Sequence, residues 1–188
     1  DLYNYIHYHE IKDPIILGHS MGGKTAMVFA FHFPNSLKKL IILDIGPKNY
    51  INDYNLLIST LIEINNAHLK SRKKAQLILE DKKIDNQTIQ FLLKNLFWKD
   101  EKLKFRFNIE AIENSIEELM SFNYLDFSWD GLCFFIRGSE SNYILDSDNT
   151  LIKKYFLNSK LITIDKANHW VHFDQKDKFI KTVNNIIS

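Results

Sequence analysis

Gly18-His19-Ser20-Met21-Gly22 is the stretch of this chain richest in chemistry. Its spacing is G-x-S-x-G, and it falls between the apolar run Ile15-Ile16-Leu17 and a helical pattern over residues 24–33. A serine on so tight a strand-to-helix bend is held in a strained backbone conformation, with its hydroxyl lifted above the sheet. Glycine two positions to either side, Gly18 and Gly22, is expected to remove side chains that would collide with the bend. The N-terminus of the following helix favours negative charge. The residue after the serine, Met21, would offer its backbone N–H to an oxyanion. Together these features equip a serine for nucleophilic attack on an acyl group.

A serine hydroxyl needs a general base, and the base needs an orienting carboxylate. After a nucleophile elbow the chain order is acid, then histidine, so the base belongs late. His169, within Lys166-Ala167-Asn168-His169-Trp170, lies in the loop after the last strand pattern. His172 competes, but it falls where a closing helix starts and reads as a packing or capping residue. His19 adjoins the serine, yet neighbours on such a turn point apart, so it receives no base role. His169 with His172, and His7 with His9, lack a cysteine or acidic partner at ligand spacing, and neither a metal nor an organic cofactor is expected.

Two carboxylates compete for the role of acid. Glu140 directly follows the strand pattern at 132–136, in Arg137-Gly138-Ser139-Glu140-Ser141-Asn142. Asp146 and Asp148 come later and read as the start of a helix. Asp44 immediately follows the strand after the elbow. Both candidates sit on the C-terminal edge of a parallel sheet, within reach of His169. Asp44 is favoured, because a carboxylate closing an apolar strand is costly without a partner; Glu140 stands as the alternative acid.

These residues need elements to carry them. Helical spacing marks residues 1–9, and Asp13-Pro14 breaks that helix. Ile15-Ile16-Leu17 and Leu40-Ile41-Ile42-Leu43 read as strands buried on both faces. Between residues 50 and 128 glycine and proline vanish and the period is helical. Helices are expected near 52–64, 70–80, 86–97 (Asp85 or Asn86 as N-cap) and 109–121 (Asn108 as N-cap), with no strand among them. Charge clusters such as Lys70 to Lys74 read as solvated helix faces. A third strand is expected at 132–136, a helix at 147–157, a fourth strand at 161–164 and a closing helix at 174–187. Strands alternating with helices predict an α/β fold with a parallel sheet flanked by helices. The expected division is a core at 1–48, a helical insert at 49–128 and a second core segment at 129–188.

Composition narrows the classes. A chain of 188 residues suits one domain, or one domain with a small insert. With 24 basic against 23 acidic residues and a net charge of +1, the basic excess of a nucleic-acid binder is missing. No apolar run approaches the ~20 residues that span a bilayer, so no integral membrane segment is expected. One cysteine, Cys133, excludes an internal disulfide framework and fits a reducing compartment, cytoplasm or organelle matrix. The chain opens on Asp1-Leu2-Tyr3, with neither an initiator methionine nor a secretory leader. It is therefore expected to be a piece of a longer protein.

The run Gly-His-Ser-Met-Gly-Gly-Lys-Thr-Ala-Met at 18–27 resembles the alpha/beta-hydrolase superfamily, and within it the YbfF-type branch of small acyl esterases and their eukaryotic abhydrolase relatives. Further matches are Leu43-Asp44-Ile45-Gly46-Pro47 with Tyr50, Arg106-Phe107-Asn108, Gly138-Ser139-Glu140-Ser141-Asn142-Tyr143, and Asn168-His169-Trp170-Val171-His172. The resemblance is specific at 18–27 and 168–172, and loose in the insert. It implies that the acid follows the strand after the elbow, which supports Asp44. It also implies that the insert is a cap that roofs the pocket and selects the acyl chain. Phe91, Phe97, Trp98, Phe105 and Phe122 are the candidates to line that pocket or to form the cap's own core. Relatives begin with further strands and a His-Gly loop that gives the second oxyanion N–H; these 188 residues carry neither. The resemblance thus implies the C-terminal portion of the fold, inactive alone, with its elbow strand as an exposed apolar edge.

The expected activity of the entire protein is a serine hydrolase cleaving small acyl esters or thioesters through an acyl-enzyme. Ser20 is its nucleophile, His169 its base, Asp44 its acid (alternatively Glu140) and Met21 N–H its oxyanion donor. The alternatives are a non-catalytic binding protein of the same fold and an acyltransferase using the same site. The sequence is silent on the physiological acyl group and on oligomeric state.

Overall fold

The computed structural model describes residues 1–51, 54–124 and 126–188. In chain order the elements are α1 (Leu2–Tyr8), β1 (Ile15–His19), α2 (Met21–His32), β2 (Lys39–Leu43), α3 (Asn55–Asn66), α4 (Arg72–Asp81), α5 (Asn86–Lys94), β3 (Leu96–Lys99) and β4 (Lys102–Phe105). They continue with α6 (Ile109–Asn114), α7 (Ile116–Met120), β5 (Leu132–Gly138), a 3-10 turn (Asp146–Asp148), α8 (Asn149–Tyr155), β6 (Ser159–Ile164), α9 (Val171–Asp174) and α10 (Lys176–Ile187). Positions 52 and 53, where the helix near 52–64 was expected to start, lie outside the described residues.

Two compact units divide the chain, Asp1–Lys48 with Phe122–Ser188, and Asn49–Ser121. The insert was expected to run on to 128. Phe122 and Phe127 instead belong to the first unit, where both pack on Phe31.

The first unit is built on a four-stranded parallel sheet in the order β1-β2-β5-β6. Leu40, Ile41, Ile42 and Leu43 of β2 are buried on both faces, as a central parallel strand requires. On one face α2 turns Ala26, Met27, Ala30 and Phe31 inward, and Phe31 and Phe135 meet Phe156. Over the other face Ile41, Leu43, Ile136, Ile164, Val171 and Ile186 form a second apolar cluster. Burying each large side chain in these clusters contributes roughly 1.5–3 kcal/mol. β1 is an edge of the sheet, and Leu17 in its middle keeps 43% of its surface exposed.

The second unit contains the main departure from the sequence reading. No strand was expected there, but β3 and β4 pair as an antiparallel hairpin with Leu96 opposite Phe105 and Lys99 opposite Lys102. The helix expected at 86–97 therefore stops at Lys94. The hairpin delivers Leu96, Leu103 and Phe105 into a core with Ile58, Leu61, Ile64, Leu79, Ile89 and Leu92. Side-chain caps start three helices: Lys73 N–H donates to Ser71 Oγ, Thr88 N–H to Asp85 Oδ1 and Ala111 N–H to Asn108 Oδ1. Each such cap contributes about 1 kcal/mol. The expected helix 109–121 is two short ones, broken at Ser115. Among the described residues no helix is long and apolar enough to cross a membrane.

Candidate active site

Parallel strands place their C-terminal ends along one edge, and the loops leaving that edge carry the site. Ser20 is the first residue past β1, and its N–H still donates to Leu43 O at 3.0 Å. Asp44 is the first residue past β2, and its N–H donates to Ile136 O at 2.8 Å. At each position the ladder ends on a non-glycine residue with positive φ, 52° at Ser20 and 51° at Asp44. Such backbone costs about 1–3 kcal/mol each, and the surrounding structure must hold it in place. Both side chains leave the sheet edge to meet the same imidazole, that of His169.

Close packing of backbone makes the elbow possible. A Cβ on Gly18 would come within 2.3 Å of Gly22 O, and one on Gly23 within 2.5 Å of Ile45 Cγ2. Gly22 was also expected to be sterically required, but a Cβ there would meet no atom of the described residues within 4 Å. The tight approaches are thus at Gly18 and Gly23. Met21 opens α2, a position whose N–H has no intrahelical acceptor and points out of the helix N-terminus.

The loop after β6 brings in the histidine. Lys166 N–H donates to Ser139 Oγ at 2.9 Å, and Glu140 N–H donates to Ala167 O at 2.9 Å, which fastens this loop to the one after β5. Asn168 N–H is held by Asp174 Oδ2 at 2.9 Å, and His169 N–H by Asn168 Oδ1 at 2.9 Å. With its backbone so fixed, His169 sets Nε2 3.1 Å from Ser20 Oγ and Nδ1 2.9 Å from Asp44 Oδ2. Of the two candidate acids, Asp44 contacts the imidazole. Glu140 is exposed.

Asp44 has no exposed surface, so its charge must be met by donors. Three reach it. His169 Nδ1–H and the Ser141 hydroxyl donate to Oδ2, and Gly138 N–H donates to Oδ1 at 3.2 Å. Gly138 has to be glycine, because a Cβ would come within 2.3 Å of Ala167 O.

Aromatic rings enclose the imidazole. Tyr143 stacks on His169 at 3.9 Å between centroids with 19° between planes, and His19 lies 4.7 Å away at 40°. His19 Nε2–H donates to His169 O at 3.0 Å. Burial lowers the His19 pKa to about 4, and the neighbouring His169 charge adds to the effect. This histidine is thus a neutral prop for the loop, a part that the strand-end reading did not give it. His172 packs its ring on His19 and Phe179, its pKa is lowered by burial, and its buried Nδ1 has no hydrogen-bond partner among the described residues. Lys24, one helical turn past Ser20, has its ammonium pKa lowered by burial to about 8.

Ser141, Tyr143 and His19 contact Asp44 or His169 although the sequence reading gave them no part in the site. Ser141 and Tyr143 were noted within the run 138–143 but given no role. Among the described residues no group of three or more His, Cys, Asp or Glu side chains is placed to hold a metal. Of the aromatic residues proposed for the insert, Phe105 is in the core of the second unit and Phe97 lies beneath the Arg106 guanidinium. Phe91 and Trp98 are 48% and 52% exposed.

The chain is similar to several known proteins. An abhydrolase domain-containing protein of Schizosaccharomyces pombe is 31% identical over 196 residues, covering 100% of this chain and 72% of the relative. An sn-1-specific diacylglycerol lipase of Danio rerio is 32% identical over 175 residues, covering 90% of this chain and 55% of the relative. Among solved structures, a marine microorganism esterase superposes with a TM-score of 0.91 at 36% identity, covering 98% of this chain and 74% of that one. The chain thus spans between about half and three quarters of the length of these proteins. No family model matches it.

Proposed function

Because the chain belongs to the alpha/beta-hydrolase superfamily, in its YbfF-like branch, we propose that it carries the catalytic machinery of a serine hydrolase acting on carboxylic esters or thioesters. The supporting observation is the unbroken relay from Ser20 Oγ through both nitrogens of His169 to Asp44.

On this reading Ser20 Oγ attacks the acyl carbon while its proton passes to His169 Nε2. Asp44 accepts the Nδ1–H bond throughout, which holds the imidazole in the tautomer with a free Nε2 lone pair and stabilises the imidazolium that forms. The tetrahedral oxyanion develops at the N-terminus of α2, where Met21 N–H and the helix dipole favour it. His169 then returns the proton to the departing alcohol or thiol, leaving an acyl group on Ser20. Water then gives a proton to His169 Nε2 as its oxygen attacks the acyl carbon, and the bond to Ser20 Oγ breaks as His169 returns that proton to Oγ, releasing the acid. The lipase name of the zebrafish relative makes acylglycerols a substrate class worth assaying alongside short esters.

The test is labelling of the full-length protein with a fluorophosphonate probe, together with turnover of p-nitrophenyl butyrate. Ser20 should carry the label, and Ser20→Ala should lose both labelling and turnover. Turnover surviving in Ser20→Ala would end the proposal.

A further inference from the structure

The β3–β4 hairpin of the second unit has two unlike faces. Leu96, Leu103 and Phe105 enter the core of that unit. The opposite face sets Phe97 across from Lys104 and Lys99 across from Lys102, and all four line an open cavity of about 510 Å³. Asn65 and His68 bound it at the end of α3, and Phe107 and Asn108 bound it ahead of α6. Like charges directly opposite each other on paired strands repel, and Lys99 with Lys102 is such a pair. Among the described residues neither ammonium has a hydrogen-bond acceptor or an ion-pair partner. Lys104 Nζ donates to Asn65 O at 2.7 Å, which ties the hairpin to α3 and leaves that ammonium two further N–H groups. Two carboxylates, Asp100 and Glu110, also line the cavity, but both are exposed and neither is bonded to these lysines. The rest of the lining is largely aromatic. Phe105 and Phe107 stack at 5.1 Å between centroids with 25° between planes, and the Arg106 guanidinium stands 5.3 Å from the centroid of Phe97.

We propose that this cavity binds an amphiphilic organic anion, a carboxylate with an alkyl tail. Its carboxylate bridges Lys99 and Lys102, and its tail lies against Phe97 and Phe107. An anion between the two ammoniums replaces their repulsion with two attractions, each of modest size because the site is open to water. The volume falls in the range of small-molecule sites, roughly 300–1,000 Å³, where apolar walls carry a few charged groups. A bare inorganic anion would leave the aromatic wall unused, and a neutral chain would leave the lysines unpaired. An anionic membrane fits less well, because the hairpin's turn is Asp100-Glu101, two carboxylates that such a surface repels. The lining lies between residues 65 and 110 and includes no member of the Ser20 relay. The site therefore stands whether or not that relay hydrolyses esters.

Decanoate, kept below the concentration at which it forms micelles, is titrated into the full-length protein by calorimetry. Wild type is compared with Lys99→Gln/Lys102→Gln, with Lys99→Arg/Lys102→Arg, and with Lys73→Gln/Lys74→Gln, which removes equal charge from the exposed face of α4. The first pair should weaken decanoate binding by about 10-fold. The arginine pair should stay within about threefold of wild type, and the α4 pair within about twofold. Decanol, which lacks the charge, and acetate, which lacks the tail, should each bind at least about 10-fold more weakly than decanoate. Raising the salt concentration should weaken decanoate binding to wild type. Amide NMR shifts of residues 97–107 should move with decanoate in wild type and stay still in Lys99→Gln/Lys102→Gln. Equal decanoate affinity in these two proteins, or shifts confined to the surroundings of Ser20, would overturn the site. Capture by phosphatidylglycerol vesicles that depends on Lys99 and Lys102, with no decanoate binding, would overturn it in favour of a membrane. Turnover surviving in Ser20→Ala defeats the hydrolytic reading and leaves this titration untouched.

Discussion

His169 Nδ1 lies 2.9 Å from Oδ2 of Asp44, a carboxylate with no exposed surface at the end of β2. Glu140, on the neighbouring loop, spends its backbone N–H on Ala167 O and leaves its side chain in solvent. The two carboxylates therefore predict opposite outcomes. Asp44→Asn keeps the shape of the site but can present an amide N–H that donates to Nδ1 and favours the wrong imidazole tautomer, and should lower kcat by about 10⁴-fold. Glu140→Gln should stay within about twofold of wild type. Steady-state kinetics of the two variants on one ester substrate decide the matter, and a large loss in Glu140→Gln would move the acid to the other loop.

The His19 ring, with its pKa lowered to about 4 by burial and by the nearby His169, gives the fold a pH dependence. In the unfolded chain a histidine titrates near 6.5. Between these values the unfolded state binds more protons than the native state. Native stability is then fully present above about pH 6.5, falls as pH drops toward 4, and loses no more from this group below that. Allowing for the ring's partial exposure, the loss is on the order of 2 kcal/mol. Urea midpoints at pH 7 and pH 4.5 measure it. His19→Gln keeps an N–H for the His169 carbonyl but does not titrate, so its midpoints should differ less between the two pH values. An unchanged difference would assign the pH dependence to other groups.

What the sequence made legible follows from what leaves a local trace. Ser20 and Asp44 each stand directly past a strand end and His169 lies in the loop after the last strand, and apolar β-branched runs mark strand ends well. The choice between Asp44 and Glu140 left no such trace, since both close strands on one edge; it turns on the positive φ at Asp44 and on donors from residues 94 and 97 positions away. The contacts of Tyr143 and His19 with His169 were not foreseen for a related reason, because ring stacking across the fold follows no sequence period. The β3–β4 hairpin was missed on different grounds. Each strand is four residues long, and the turn Asp100-Glu101 takes positive φ at both residues, 48° and 58°, without the Asn-Gly or Asp-Gly signal that usually announces it.

Cys133 sits in β5, paired with Leu40 of β2, with no exposed surface. Burial raises its thiol pKa well above the ordinary value, which starves it of thiolate, the reactive form. The native protein should therefore react negligibly with 5,5′-dithiobis(2-nitrobenzoic acid) at pH 7.5, and urea should release one equivalent along the unfolding transition. Rapid reaction under native conditions would mean that β5 opens locally well below the cost of global unfolding.

Gly18 and Gly22 look equivalent in G-x-S-x-G, but their surroundings differ. At Gly18 a methyl group would stand 2.3 Å from Gly22 O and 2.7 Å from Gly23 N, all backbone of the turn that carries Ser20. Gly18→Ala can be accommodated only by moving that turn, which should cost about 1–3 kcal/mol and slow fluorophosphonate labelling of Ser20. At Gly22, inside the first turn of α2, a methyl group meets no atom of the described residues within 4 Å. There alanine removes the conformational cost of a helical glycine, and Gly22→Ala should leave stability unchanged or raise it by up to about 1 kcal/mol. Thermal melts and labelling rates of the two variants give the comparison. Equal damage from both would mean that the second glycine meets a neighbour outside the residues described, and that the elbow is crowded from two sides rather than one.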